Sequence, residues 1–418
     1  MMPRAMSRAL FFMLALGALT PALPAGAQTN DILFGGWTWR EQDTGSRPAG
    51  LGGAYIAVAD GVRTAAVNPA GLTLIPRLEA SVSTAPFWFG LARRIHHGDP
   101  VPPPVRPTEP GVPLPCPPGR RARPWAIALY VEQPEQQTNA VEVVHGPSLS
   151  ERALLEADIE EVGGSLAKGL TPWLDLGVTI GWRHLTLDGT SVRVDGLGNE
   201  LQRISLGGDS NKARAIVGAL ASFGPRHSPT DFRLAVSYQW DLLSWSVERS
   251  RIDLAQGTVT EPTPVKFEEP RTLTAGFSWR INDNWMLAGQ VGYTWFDNVT
   301  RELERGGGSF TIDDHLEPRA ALEMTQSSPV GGYFKLRAGV RREISGRAVF
   351  LGEDPVQRQA FRAVPAAVRA SFGFSQLAEF YDHGVRLDLD VSQVVLERRS
   401  SLGVAGSRRF SIGLTVRL

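Results

Sequence analysis

The chain has 418 residues, with 43 Lys+Arg set against 43 Asp+Glu, and a single cysteine, Cys116. Zero formal charge excludes the basic excess that nucleic-acid binding requires, so no nucleic-acid partner is expected. One cysteine excludes an intrachain disulfide framework, and its Pro-rich surroundings read as an exposed loop thiol rather than a nucleophile.

Residues 1–27 carry the marks of a secretory signal peptide. Arg4 and Arg8 make a positive start, Ala9 to Leu19 is apolar, Pro21 and Pro24 break the run, and Ala25-Gly26-Ala27 is a small-x-small cleavage site. The mature chain then begins near Gln28. The alternative, an uncleaved anchor helix, needs about 20 apolar residues, more than this run supplies. No later stretch reaches that length, so no transmembrane helix is expected. Phe34, Trp37 and Trp39 follow in "ILFGGWTWR". They read equally as the lining of an apolar pocket, and so as substrate-binding residues, or as anchors for the N-terminus.

Residues 46–76, "SRPAGLGGAYIAVADGVRTAAVNPAGLTLIP", are small, weakly polar and rich in glycine. Gly50, Gly52 and Gly53 invite a nucleotide-loop reading. The third glycine of G-x-G-x-x-G would fall on Tyr55, and no βαβ unit surrounds it. Small residues instead let a segment pass close to other backbone. Asn68 is placed as a cap and Pro69 as the first helical residue, so short helical turns are expected.

From about residue 78 onward the dominant signal is alternation with period two. Leu273, Ala275, Phe277 and Trp279 oppose Thr272, Thr274, Gly276 and Ser278; after the turn 281–284, Trp285 to Trp295 repeats the code. The same pattern runs through 232–240, 334–341 and 368–375, with further strand-like stretches near 78–92, 123–133, 157–170, 172–187, 212–224, 316–326, 384–396 and 405–418. Strands of a soluble sandwich are usually about five or six residues long; these run to ten or more. A transmembrane strand needs about 9–11 residues. Trp285 and Trp295, on one face, stand about 33 Å apart along the strand, or roughly 23 Å vertically when tilted, close to the ~25 Å apolar band of outer-membrane barrels. Trp173 and Trp182 fall on opposite faces of an unbroken strand and so cannot both belong to an aromatic girdle. The fold class is therefore an all-β transmembrane antiparallel barrel. About 13 segments are visible, and the even-number rule raises this to about 14.

The connections 93–122, 134–156, 188–211, 298–315 and 345–363 are long and polar and read as outer loops, opposite short turns such as 281–284. The first, with "DPVPPPVRPTEPGVPLPCPP", reads as extended and semi-rigid. In the last residues, "SIGLTVRL", Ile412, Leu414, Val416 and Leu418 share one face. This is the pattern of an outer-membrane targeting strand, which implies the barrel assembly machinery as a partner.

No catalytic motif is present, neither G-x-S-x-G, H-E-x-x-H nor C-x-x-C, so neither an enzyme nor a cofactor is expected. His96-His97 has no metal-ligand partners in sequence. Arg233, Lys335, Arg337, Arg341, Arg369 and Arg417 fall on the face opposite the apolar one. If that face lines the lumen, they form a solvated lining countered by Asp388 and Asp390. On the same condition, the alternative is that they grip a ligand carboxylate, Arg337 and Arg369 being the chosen candidates.

The stretch "GLGGAYIAVADGVRTAAVNPAGL" resembles the N-terminal signature of the FadL-type outer-membrane proteins. Gly50, Gly52, Gly53, Asp60, Asn68, Pro69, Ala70 and Gly71 carry the likeness. The hairpin 268–297 is similar to a strand pair common in that superfamily. The resemblance implies a monomeric barrel over 77–418, set among outer-membrane lipid and lipopolysaccharide, with 28–76 folded inside as a hatch. It also implies a hydrophobic small-molecule ligand, a long-chain fatty acid or an aromatic hydrocarbon, that leaves sideways through the wall. The phrase "SRPAGLGGAYIAVAD" is nearer to the PorV-like branch, which implies instead a barrel that binds a protein partner in secretion or envelope assembly.

Overall fold

The computed structural model describes residues 38–39, 45–75, 77–84, 87–95, 124–144, 148–224, 231–254, 257–299, 310–327, 332–344, 346–351, 358–359, 361, 366–380, 385–396 and 410–417. Sixteen strands form the main sheet. The first eight are β1 (Leu78–Ser83), β2 (Trp88–Ile95), β3 (Trp125–Val144), β4 (Leu149–Gly169), β5 (Leu174–Asp195), β6 (Glu200–Phe223), β7 (Phe232–Asp241) and β8 (Trp245–Asp253). The rest are β9 (Thr258–Phe267), β10 (Arg271–Arg280), β11 (Trp285–Trp295), β12 (His315–Ser327), β13 (Tyr333–Glu343), β14 (Ala367–Phe380), β15 (Val385–Leu396) and β16 (Phe410–Arg417).

Neighbours in sequence pair antiparallel except β7 with β8 and β9 with β10; β10 instead pairs with β7. The hairpin β8–β9 projects from the ring, and β8 pairs with the far part of β6, from Gln202↔Asp253 to Gly207↔Glu248. β16 returns to β1 with Glu79 opposite Arg417. Among the described residues the other fourteen strands thus close a ring. Closure removes the free edges that an open sheet would present to lipid.

The alternation read in 271–295 is what the strands use. Leu273, Trp279, Trp285 and Val291 are exposed on the outside, while Thr274, Ser278, Met286, Ala288 and Gln290 are buried within. Trp173 sits in the turn before β5, not in the strand, so alternation does not constrain it; Trp173 and Trp182 are both exposed.

β3 to β6 are longer, at 20, 21, 22 and 24 residues, and change character halfway. In the near half of β4 and β5, Val162, Leu166, Val178, Ile180 and Trp182 face out and Glu161, Ser165, Thr179 and Arg183 face in. In the far half the code inverts. Arg152, Glu156, Glu160, Thr186 and Asp188 face out, while Leu155, Ile159, Leu185 and Leu187 are buried inside. The near half has lipid outside it, and the far half has water. This corrects the reading of 134–156 and 188–211 as loops. Outside the connections 145–148 and 196–199 they are strand, and their polar residues are the wetted face of a wall that rises beyond the membrane. The boundary is testable: Val178→Arg should cost about 2–4 kcal/mol, the depth-dependent cost of a lipid-facing cation. Thr186→Arg on the same face should stay within about 0.5 kcal/mol. Urea unfolding from lipid vesicles reads both, and equal costs would put the boundary elsewhere.

Strand direction also sorts the connections. The connections 170–173, 224–231, 281–284, 328–332 and 381–384 leave from the end of the wall that holds the tail of β16. Ile95 pairs with Trp125 at that same end, so the Pro-rich connection leaves from the short-turn side, not from the outer side as expected. Residues 96–123, with Cys116 and His96-His97, lie outside the described residues, as do 1–37 and Leu418. Short turns of outer-membrane barrels face the periplasm.

Residues 45–75 lie within the ring. They form a short helix, α1 (Ser46–Gly50), and two 3-10 turns, Val62–Ala66 and Pro69–Leu74. Such irregular backbone cannot satisfy its own polar groups and must borrow partners. It borrows them from the inner faces of strands all round the wall. Val62 N–H donates to Glu79 on β1; Ser165 on β4 and Thr179 on β5 donate to the Ala65 carbonyl. Arg233 on β7 donates to the Val58 carbonyl, Ser278 on β10 to that of Ala57, and Ser371 on β14 to that of Gly50. The Tyr55 and Ile56 N–H groups share Gln290 on β11.

Candidate functional site in the barrel lumen

The far half of the lumen is an apolar region, the chamber, packed with buried side chains. Leu155, Ile159, Leu185, Leu187, Ile204 and Leu206 line it from the wall, and Phe296, Val299, Phe310, Ile312 and Phe361 close over it from the outer connections. Phe310 stands edge-on to Phe350 and Phe361, with centroids 5.1 and 5.2 Å apart. Thr38–Trp39 pairs with Gly346–Arg347, beside Ala348 of the same cluster, so the chain's early residues reach chamber level. Phe34 and Trp37 lie outside the described residues, and of Trp39 only the backbone is described.

One step along each strand the inward residues become charged. Glu161 accepts from Arg183 Nε at 2.5 Å, from Arg214 Nη2 at 2.5 Å, and from the Tyr130 hydroxyl. Glu132 pairs with Arg63 at 3.2 Å and Arg214 at 3.4 Å. Lys212 bridges Asp241 and Glu269, each at 2.7 Å, and sits 3.6 Å from the centre of the Trp245 ring. Four cations thus meet four carboxylates. Burial makes each charge costly unless it is paired, so the layer is stable only as a set.

Below this layer lie residues 45–75, fitted to the wall by missing side chains. A Cβ at Gly339 would overlap the Leu51–Gly52 backbone, and Gly52 itself has φ +59°. A Cβ at Gly177 would overlap the Pro69–Ala70 peptide. The resemblance residues are therefore contact residues. Asn68 caps Ala70 N–H at 3.3 Å, and its amide donates to the carbonyls of Ile56 and of Ala219 on β6. Gly71 packs against Ala59, which itself has φ +34°. Asp60 binds Arg47 at 2.7 Å. Burial pushes its carboxyl up, but Arg47, Lys335 and Arg417 outweigh burial and hold it below the usual 3.8.

The six predicted lumen cations face inward, and each has an acidic partner. Arg337 and Lys335 bind Glu323 at 2.7 and 3.4 Å, Arg233 binds Asp231 at 2.5 Å, and Arg417 binds Glu79 at 2.8 Å. Arg341 and Arg369 share Glu343. Arg337 also donates to Ser375 at 2.7 Å. The side chains of Asp388 and Asp390 are outside the described residues; the carboxylates that counter these cations were not anticipated, although Glu79, Glu323 and Glu343 have the inward parity of their strands. No cluster of metal ligands is found among the described residues.

No protein-family model matches the chain, and no curated protein matches it in sequence. Among solved structures it is similar to the CymD monoaromatic hydrocarbon channel, with a TM-score of 0.50 at 14% identity over 89% of this chain and 96% of that one. It is also similar to a Pseudomonas aeruginosa FadL homologue, with a TM-score of 0.56 at 11% identity over 91% and 98% of the two chains. At such identities the likeness speaks for the fold. With its closed wall, apolar outer belt and occupied lumen, the chain has the fold of the FadL-type bacterial outer-membrane barrels.

Proposed function

We propose that the protein takes up hydrophobic small molecules across the outer membrane, with residues 28–76 acting as a hatch. The inversion of β3–β6 carries this reading. It sets an apolar chamber on the water side of the membrane, where a soluble apolar molecule gains by leaving water. A long-chain fatty acid or an aromatic hydrocarbon suits such a chamber. Sideways release is supported by the unequal height of the wall. Among the described residues β1, β2 and β16 have six, eight and eight residues, beside the 20 of β3.

A binding titration of detergent-purified protein with a long-chain fatty acid and with toluene tests the reading. Wild type should bind at least one of them saturably. Leu187→Asp, which puts an unpaired carboxylate into the chamber, should weaken binding at least about tenfold, since an unpaired buried charge costs several kcal/mol. A chain lacking 28–72 should lose binding. Absence of saturable binding in the wild type, with recovery of a stoichiometric protein partner from membranes, would replace the channel by a partner-binding barrel.

A further inference from the structure

A polar cavity lies apart from the chamber, between residues 45–63 and the seam of β1, β2 and β16. It has a volume of about 40 Å³ and is lined by Arg47, Arg63 and Arg417 against a single carboxylate, Glu79. Arg47 reaches Asp60 and Glu323, and Arg417 reaches Glu79. Arg63 uses only Nη2, toward Glu132; its Nε and Nη1 are buried and have no hydrogen-bond partner among the described residues. The Ser83 hydroxyl and the Trp88 indole N–H, also in the lining, are orphaned in the same way. The Arg63 side chain is 7% exposed and Ser83 4%.

Arg63 and Ser83 converge, and the Arg63 guanidinium lies 4.5 Å from the centre of the Trp88 ring. A Cβ added to Gly45 would stand 3.4 Å from Arg63 Nε and 3.6 Å from Ser83 Oγ, so both groups border the bare face of Gly45. All the orphaned groups can donate, and burying them without an acceptor costs about 1–3 kcal/mol apiece. What the orphaned donors lack is an acceptor, and three guanidiniums in the lining against one carboxylate favour a negatively charged one. We infer that this cavity is a site for a small oxyanion, a carboxylate or a phosphate, held by Arg63, Ser83 and Trp88 between the lumen segment and the barrel seam. The inference does not depend on the chamber's ligand: an oxyanion here would clasp 45–63 to the wall whatever the channel carries.

Thermal unfolding of the full-length protein in detergent, at fixed ionic strength set with sodium chloride, tests it. Sodium acetate and sodium phosphate supply the free ion; sodium octanoate, below its micellar concentration, supplies the same headgroup on a tail. A saturable rise of a few degrees in the wild-type midpoint is expected. A rise with acetate or phosphate marks a free oxyanion, and a rise with octanoate alone marks the headgroup of an amphiphile. Arg63→Gln should abolish the rise and Arg63→Lys should restore part of it. Ser83→Ala, which touches no ion pair, should weaken the apparent affinity about tenfold and decides the matter if Arg63→Gln does not fold. A wild-type midpoint indifferent to all three salts, or an undiminished response in Ser83→Ala, would overturn the site.

Discussion

Glu161→Gln is expected to destabilise the barrel by about 3–5 kcal/mol, the usual cost of removing one partner from a buried ion pair. The change is nearly isosteric, so packing is not the cause. Glu161 is fully buried and accepts from Arg183, Arg214 and Tyr130. Gln leaves two guanidiniums with the diminished compensation of Glu132 and Glu269. Replacing Arg214 as well, as Glu161→Gln with Arg214→Met, restores the charge balance and should recover part of the loss. Urea midpoints of the folded, heat-modifiable band measure both variants. A single variant within about 0.5 kcal/mol of wild type would mean that the layer is wetter than the geometry indicates; a double variant worse than the single would mean that the charges are not the reason.

Gly339→Val should displace residues 45–75 without opening the wall. Gly339 pairs with Ala321 on one side and Ser371 on the other, so its backbone cannot retreat. Across from it the N–H of Gly52 and the carbonyl carbon of Leu51 already occupy the space of a Cβ. Overpacking of this kind costs typically about 1–3 kcal/mol, and the irregular segment, rather than the doubly paired strand, should yield. In planar bilayers the variant should show ion conductance well above that of wild type, and proteases should cut within 45–75. Silent bilayers and an uncut segment in a correctly folded variant would show that the wall gives way instead.

The alternation of 271–295 and 333–343 was legible because lipid and lumen lie on opposite faces along their whole length. The far halves of β3–β6 were not, because the same period carries opposite contents once the outside becomes water. Without the position of the membrane plane, "ERALLEADIEE" reads as a polar connection. Residues 46–76 announced close backbone contact through Gly52 and Asn68, but not with which strands; that depends on the closed ring. The inward arginines could be found by parity. The same parity held Glu79, Glu323 and Glu343, and an expectation that buried cations are matched strand by strand would have found these three. Glu269 lies between strands, where parity says nothing.

Among the described residues β1 and β16 share five residue pairs, whereas β4 and β5 share twenty-one. The seam also joins residues 338 apart, as in Arg417 with Glu79, and closing so long a loop adds about 0.6 kcal/mol for each doubling of length. Few bonds therefore repay the costliest closure in the wall. Glu79 accepts both Arg417 and the Val62 N–H, and Arg417 reaches back to the Asp60 carbonyl, so the lumen segment is tied into both sides of the junction. The order of assembly follows. The curled sheet must gather around 45–75 before its first and last strands meet, and a chain that closed early would shut its own filling outside.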